Sequence, residues 1–417
     1  MRLWRVRIFI ATWLCYAGLY FCRHAFYVAK PELTRRNGLD AATLGWIGVV
    51  YLIAYTLGEF NAAAVGSRIG ARRTLLAGMA VSIAANLGFG LAEGSVLFAL
   101  LAGLNGLAQA TGWSGNVGTM AQWFRRTERG QVMGLWSTCY QLGAVAAKSF
   151  AAFNLGRGGL RRTFWGAAGV LAGVWALFFA LHRNRPEDAG LAPVVDDEPS
   201  REGAGPAGAT ASSDGGWNRD LVVTVVLMGC FYFFVKSIRY ALWSWAPYFL
   251  SLNFKLLPSQ AGHFSVIFDV CGFLGVITAG VISDRLLGGR RAGVAFVMIA
   301  GLAVSTVGLW LLGSRSLPVF GVCIGLIGFT LYGPDSLISG AGAIDVGSRR
   351  HALAAAGIIN GIGSMGPVLQ EAVIGRLYQR DPTNLGPILG LFTAAATIAT
   401  VLMGLLLRRA RAGKCNL

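Results

Sequence analysis

Two arginines lie inside strongly apolar segments, at matching places in the two halves of the chain. Arg23 sits in the run Leu19-Tyr20-Phe21-Cys22-Arg23-His24-Ala25-Phe26-Tyr27, and Arg239 in Phe233-Phe234-Val235-Lys236-Ser237-Ile238-Arg239-Tyr240-Ala241-Leu242-Trp243. Each is followed eight residues later by a proline, Pro31 and Pro247. A guanidinium stays charged at any working pH and presents a planar fork of donors that matches the oxygens of a phosphate or carboxylate. At bilayer depth an arginine costs roughly 2.5–3.5 kcal/mol on insertion scales and needs a polar partner. One such arginine is explained by snorkelling or by capping a neighbouring helix. A matched pair implies a bound anion shared between the halves.

The segments around them set the class of protein. The chain has 417 residues, 55% hydrophobic and 13% charged, which is too apolar for a soluble globular protein. Apolar stretches of about 18–25 residues, spanning length for a helix, recur from end to end. They predict helices over 7–28, 43–65, 74–92, 95–121, 131–153, 163–181, 221–250, 259–282, 292–313, 317–341, 352–375 and 384–407. Barrel strands would alternate over about ten residues instead of running unbroken. The fold class is therefore an all-α integral membrane protein with twelve transmembrane helices.

The formal charge of +17 would fit a nucleic-acid partner if it were clustered on one domain. Instead it is spread over alternate loops, with Arg2, Arg5 and Arg7, then Arg68, Arg72 and Arg73, then Arg125, Arg126 and Arg129, and on to Arg408, Arg409 and Arg411. The intervening loops hold chiefly Lys30, Arg35, Arg36, Arg157, Arg161 and Arg162. That is the positive-inside bias, and it predicts a multi-pass protein of the cell (inner) membrane with both termini cytoplasmic. No nucleic acid is expected as a partner. The seven cysteines are odd in number, six fall in apolar segments, and none has metal-ligand spacing, so they read as packing residues. The first apolar segment, with its internal arginine and no clear cleavage site, reads as a retained helix and not as a signal peptide.

Residues 182–220 interrupt the pattern with an acidic, Gly/Ala/Ser-rich run, read as a flexible cytoplasmic linker. It divides an N-terminal six-helix bundle, 1–181, from a C-terminal one, 221–417. The halves repeat: Arg23 lies 45 residues before Arg68, and Arg239 lies 46 before Arg285. The loops Arg68-Ile69-Gly70-Ala71-Arg72-Arg73 and Ser283-Asp284-Arg285-Leu286-Leu287-Gly288-Gly289-Arg290-Arg291 correspond. Parallel repeats about an axis along the membrane normal are the arrangement of the major facilitator fold, with its site near midplane between the halves.

Four stretches carry a resemblance to one branch of that superfamily, the organophosphate:phosphate antiporters. They are the Arg23 segment, the Arg239 segment with Trp245-Ala246-Pro247, the run Leu104-Asn105-Gly106-Leu107-Ala108-Gln109-Ala110-Thr111-Gly112-Trp113, and Gly328-Phe329-Thr330-Leu331-Tyr332-Gly333-Pro334 followed by Leu337-Ile338. Arg185-Pro186-Glu187-Asp188-Ala189-Gly190-Leu191 also looks familial. The resemblance implies exchange of inorganic phosphate for an organic phosphate by alternating access, with Arg23 and Arg239 on the phosphoryl group. Two positions depart from the glycerol-phosphate pattern: Glu59 stands where a lysine is expected, and Tyr140 where a histidine is expected.

The chemistry follows from charge. With the site empty, two like charges face each other across a cleft; a bound phosphate neutralises them and lets the halves close. Such a carrier resists reorienting empty, so exchange follows rather than uniport. Lys148 and Lys236 add positive charge, while Glu59, Asp269 and Asp335 oppose it; Glu371, near the end of its segment, is set aside. Asp269, which matches an acidic position in several relatives, is the first choice of carboxylate to hold an arginine between turnovers; proton coupling through a carboxylate is the alternative. Lys148 is a substrate-binding candidate, whereas Lys236 and Glu59 have structural alternatives. His24 adjoins Arg23 but points elsewhere on the helix.

Tyr20, Tyr140 and Tyr240 are the aromatic cavity candidates; Trp113, Trp243 and Tyr332 fit packing or interfacial belts equally well. Gly103, Gly106, Gly112, Gly361, Gly363 and Gly366 fit close helix approach. No Walker motif, nucleophile elbow or metal cluster occurs, so neither an enzyme nor a cofactor is expected. The expected partners are an organic phosphate, inorganic phosphate and the lipid bilayer, and the default state is a monomer. Two other functions stay open: a membrane sensor of external sugar phosphate, and a proton-coupled carrier of another organic anion.

Overall fold

The computed structural model of the chain describes residues 1–194, 219–283, 291–336, 352–382 and 384–413. Arg285, Arg290, Leu337, Ile338, Arg349, Arg350, Lys414, Cys415 and the middle of the predicted linker lie outside these residues. The described helices are α1 (Arg2–Asn37), α2 (Ala41–Ile69), α3 (Ala71–Phe89), α4 (Ser95–Gln109), α5 (Thr111–Trp123), α6 (Arg126–Trp136) and α7 (Thr138–Leu181) in the first half. The second half holds α8 (Arg219–Asn253), α9 (Pro258–Phe264), α10 (Val266–Val281), α11 (Arg291–Leu312), α12 (Leu317–Ser336), α13 (Ala352–Arg380) and α14 (Gly386–Arg411).

Together they make the twelve predicted passes, with a few joints that hydrophobicity alone does not mark. α4 and α5 form one pass, as do α9 and α10. α7 holds parts of two passes, broken at Gly159, whose φ of 66° and ψ of −158° suit a residue without Cβ. Among the described residues eight stretches are long and apolar enough to cross a membrane by length and composition, among them the two-pass stretch Val132–Leu181. α1 is not among them, because Arg23, His24, Lys30 and Glu32 dilute its apolar run.

Local signals fix the ends. α1 stops at Gly38, which is left-handed and returns its N–H to the Leu33 and Thr34 carbonyls. Asp40 then caps α2, its Oδ1 accepting from the Thr43 N–H at 2.8 Å. α1 therefore runs nine residues past the predicted end at 28 and carries Pro31 inside it, as α8 carries Pro247.

Packing in one half is repeated in the other. α1 lies along α7 as α8 lies along α13; α2 pairs with α4 as α10 pairs with α12; α3 meets the end of α7 as α11 meets α14. Across the halves, α2 packs on α13, α7 packs on α9 and α10, and α1 meets α8 on the axis. Glycines permit the closest of these approaches, as predicted for Gly106 and Gly366, where a side chain would run into the Tyr51 and Phe233 carbonyls.

The first part of the predicted linker docks on the first bundle, with Ala189 and Leu191 packed against the core. His182 is buried, with Nε2 3.1 Å from the Thr119 hydroxyl. The Trp123 indole donates to the Arg183 carbonyl at 3.1 Å, and the Arg72 N–H to Asn184 Oδ1 at 2.7 Å. Pro186–Ala189 forms a short 3-10 turn. This stretch has polar side chains that dock on buried partners, which the composition of the whole linker hides.

The largest departure is at the end of the bundle away from the chain termini. Lys30, read above as a loop residue, is fully buried and pairs with Glu371 of α13 at 3.1 Å. Its Nζ also donates to the Ser244 hydroxyl at 2.5 Å and lies 3.9 Å from the centre of the Trp245 ring. The Trp245 indole donates to the same Glu371 Oε2 at 2.7 Å. Gly45 and Gly48 of α2 bring that helix directly onto Glu371. The Thr34 and Tyr248 hydroxyls meet beside this cluster at 3.3 Å. Charged groups from both halves thus meet at this end in a buried ion pair.

Removing one partner of a buried pair leaves the other uncompensated, at about 3–5 kcal/mol, while replacing both with apolar groups is close to neutral. Glu371→Gln alone should lower the melting temperature in detergent markedly, and Lys30→Met with Glu371→Met should recover most of the loss. His182 gives a second check. Burial, with Arg72 and Arg183 nearby, pushes it down to about 3, so it docks neutral. Its contribution is complete above its unfolded value near 6.5 and declines as pH falls toward 3. His182→Gln should flatten the fall in melting temperature between pH 7 and pH 5.

Candidate anion site between the halves

The two arginines lie against one layer of rings between the halves. Arg23 is buried, with its guanidinium carbon 5.2, 5.9 and 4.9 Å from the ring centres of Tyr20, Tyr51 and Tyr55. Arg239 is also buried, 5.4 Å from the Tyr240 ring and 5.2 Å from Trp243. Tyr20 and Trp243 meet edge to face with centres 6.0 Å apart, so the guanidinium groups stand on either side of one aromatic contact.

Their charge partners differ. Among the described residues no carboxylate lies within ion-pair distance of Arg23, and its buried Nε has no hydrogen-bond partner. Contacts with ring faces contribute only about 0.5–2 kcal/mol each to a cation. Arg239, in contrast, is paired with Asp335 of α12. This corrects the expectation that Asp269 would be the carboxylate holding an arginine. Asp269 pairs with Lys148 at 2.6 Å, and its Oδ1 accepts from the Trp243 indole at 2.7 Å and the Tyr332 hydroxyl at 2.8 Å. It positions the Trp243 ring under Arg239 and bridges to the first half through Lys148.

The other predicted residues fall around this centre. Tyr20 and Tyr240 touch the guanidinium groups; Tyr140 is half-buried and packs on the core. In this conformation Lys148 is engaged by Asp269 and fully buried. Glu59 is half-buried, its Oε2 accepting from the Asn360 amide at 3.4 Å. Lys236 donates to Asn360 Oδ1 at 3.1 Å and to the Ser364 hydroxyl at 2.8 Å. His24 does lie in the layer, 5.2 Å from Trp243, with both ring nitrogens buried and unpartnered.

Tyr51 and Tyr55 were missed, although with Glu59 they recur every four residues, which places them on one face of α2. The six described cysteines are unpaired thiols, and among the described residues no group of three potential metal ligands occurs. The two guanidinium groups, one with no carboxylate among the described residues and one held by Asp335, carry donors of the geometry that a tetrahedral oxyanion accepts.

Comparison with known proteins agrees with this architecture. The model of the Major Facilitator Superfamily matches residues 12–369. The chain belongs to that superfamily. Among its relatives are a probable hexose phosphate transport protein of Chlamydia pneumoniae, 27% identical over 97% of this chain and 90% of the relative, and the membrane sensor protein UhpC of Salmonella typhimurium, 30% identical over 86% and 82%. Sugar phosphate exchanger 3 of Xenopus laevis is 30% identical over 84% of this chain and 78% of its own. These matches place the chain in the organophosphate:phosphate antiporter family, a family of multi-pass transporters and not of enzymes. The fold is shared with a bacterial homolog of the lysosomal transporter Spinster, at a TM-score of 0.74 and 14% identity over 100% of this chain and 99% of that one.

If Asp335 competes with an anion for Arg239, its neutralisation should tighten binding. Asp335→Asn should lower the dissociation constant for inorganic phosphate about tenfold, equivalent to about 1.4 kcal/mol. Titration calorimetry in detergent reads this directly.

Proposed function

We infer that the chain is a secondary carrier that exchanges inorganic phosphate for a phosphorylated sugar by alternating access, with Arg23 and Arg239 binding the phosphoryl group. The observation that carries this reading is the buried Arg23 guanidinium, which has no carboxylate partner among the described residues and faces an Arg239 held by Asp335. An anion carrying two charges would satisfy Arg23 and draw Arg239 off Asp335, tying the two halves together. Without it, closing the halves seals the Arg23 charge in a low dielectric with no carboxylate beside it among the described residues. Empty reorientation is therefore disfavoured, and uptake is coupled to release.

The names of the relatives support a sugar phosphate as the organic substrate. The arginine-rich loops support a cell (inner) membrane location with both termini cytoplasmic. One chain supplies both arginines, so a monomer is sufficient. The similarity to UhpC supports a second reading, in which binding the same class of ligand is reported to a partner rather than used for flux.

Radiolabelled phosphate uptake into proteoliposomes preloaded with phosphate, compared with empty ones, separates these readings. The carrier reading expects uptake that requires internal phosphate and is competed by hexose or triose phosphates. Saturable binding without flux would favour the sensor. Arg23→Lys and Arg239→Lys should each lower exchange at least tenfold, since an ammonium does not replace a bidentate fork. Normal exchange in both variants would remove the assignment of the arginines.

A further inference from the structure

Besides Arg23, four cations lie buried in and around the interface between the halves: Lys30, Lys148, Lys236 and Arg239. Three of them have carboxylates of their own, Glu371, Asp269 and Asp335. Lys236 differs. Among the described residues no carboxylate is within ion-pair distance of its Nζ, which is held by two neutral oxygens of α13, Asn360 Oδ1 and Ser364 Oγ. The other end of the Asn360 amide reaches across the interface to Glu59 of α2. This chain of four polar groups therefore joins the halves at the side of the proposed phosphoryl site.

Its place relative to Arg239 is fixed by α8. Lys236 lies three positions before Arg239, about 4.5 Å along the helix axis. Both cations lie against the Tyr240 ring, at 5.8 and 5.4 Å. A group bonded to a phosphate at Arg239 would reach Lys236, whereas inorganic phosphate seated on the arginines would not need it. The chemistry of the four groups also selects the ligand. An ammonium, an amide, a hydroxyl and a carboxylate together both donate and accept. Sugar hydroxyls do the same. A second phosphate or a carboxylate on the substrate would meet Glu59 as a like charge.

We propose that Glu59, Lys236, Asn360 and Ser364 form a second subsite, which binds the hydroxyl-bearing part of the organic phosphate and sets the preference for it over inorganic phosphate. This inference rests on the exchange reading above. The subsite has members on both halves, so an organic phosphate would close the interface at two points where inorganic phosphate closes it at one.

The test is a ratio. Proteoliposomes loaded with phosphate take up radiolabelled phosphate in the presence of unlabelled phosphate, glycerol 3-phosphate or glucose 6-phosphate. In Asn360→Ala and in Ser364→Ala, the half-inhibitory concentration of glucose 6-phosphate should rise at least tenfold more than that of unlabelled phosphate. Lys236→Met should do the same, and Lys236→Arg should restore part of the preference. A ratio unchanged from wild type in all of them would overturn the subsite while leaving exchange in place. Parallel loss for every competitor, with no recovery in Lys236→Arg, would also overturn it, because it would mark the group as structural. Absence of phosphate exchange in the wild-type protein would overturn the exchange reading and the subsite with it.

Discussion

A charged guanidinium buried with no carboxylate beside it among the described residues is the constraint around which this molecule is organised. At low dielectric such a group is stable only if something polar meets it, and ring faces supply a small part of what water would. Arg23 stands in that position within a ring of tyrosines. The other buried cations of the interface are satisfied by the protein itself, three by carboxylates and one by neutral oxygens. Among the described residues Arg23 is thus the one buried cation of the interface held by neither a carboxylate nor neutral oxygens.

Those internal pairs also connect the halves. Lys30 with Glu371, and Lys148 with Asp269, each join one residue of the first half to one of the second. Each also engages a tryptophan of α8, Trp245 in one case and Trp243 in the other. Trp243 lies under Arg239 and against Tyr20, so the ring layer of the site and an ion pair between the halves share one side chain. The ring layer around the two arginines and the ion pairs between the halves thereby form one set of contiguous contacts.

Much of this was legible in the sequence. Twelve apolar segments, the repeat of Arg23 and Arg239, and the resemblance carried by four stretches gave the architecture and the family. Partner assignment was less legible, because it depends on which helices face one another across the axis. Asp269 and Asp335 are both acids within apolar segments, and nothing local distinguishes the one that meets Lys148 from the one that meets Arg239. Lys30 lies two residues beyond the predicted end of the first helix at 28 and so reads as a loop residue. α1 nevertheless continues through Pro31 to Asn37, which carries Lys30 into the interface and gives the neglected Glu371 its partner. The His182 anchor was hidden similarly, by the polar composition of the segment it begins.

The most direct test of the central claim is to locate a heavy oxyanion in the protein. Crystals soaked in tungstate, a tetrahedral dianion with strong anomalous scattering, would be measured at the tungsten edge. One principal anomalous peak is expected between the Arg23 and Arg239 guanidinium groups, within bonding distance of both. A peak on only one arginine, or one elsewhere in the interface with both arginines unoccupied, would contradict it.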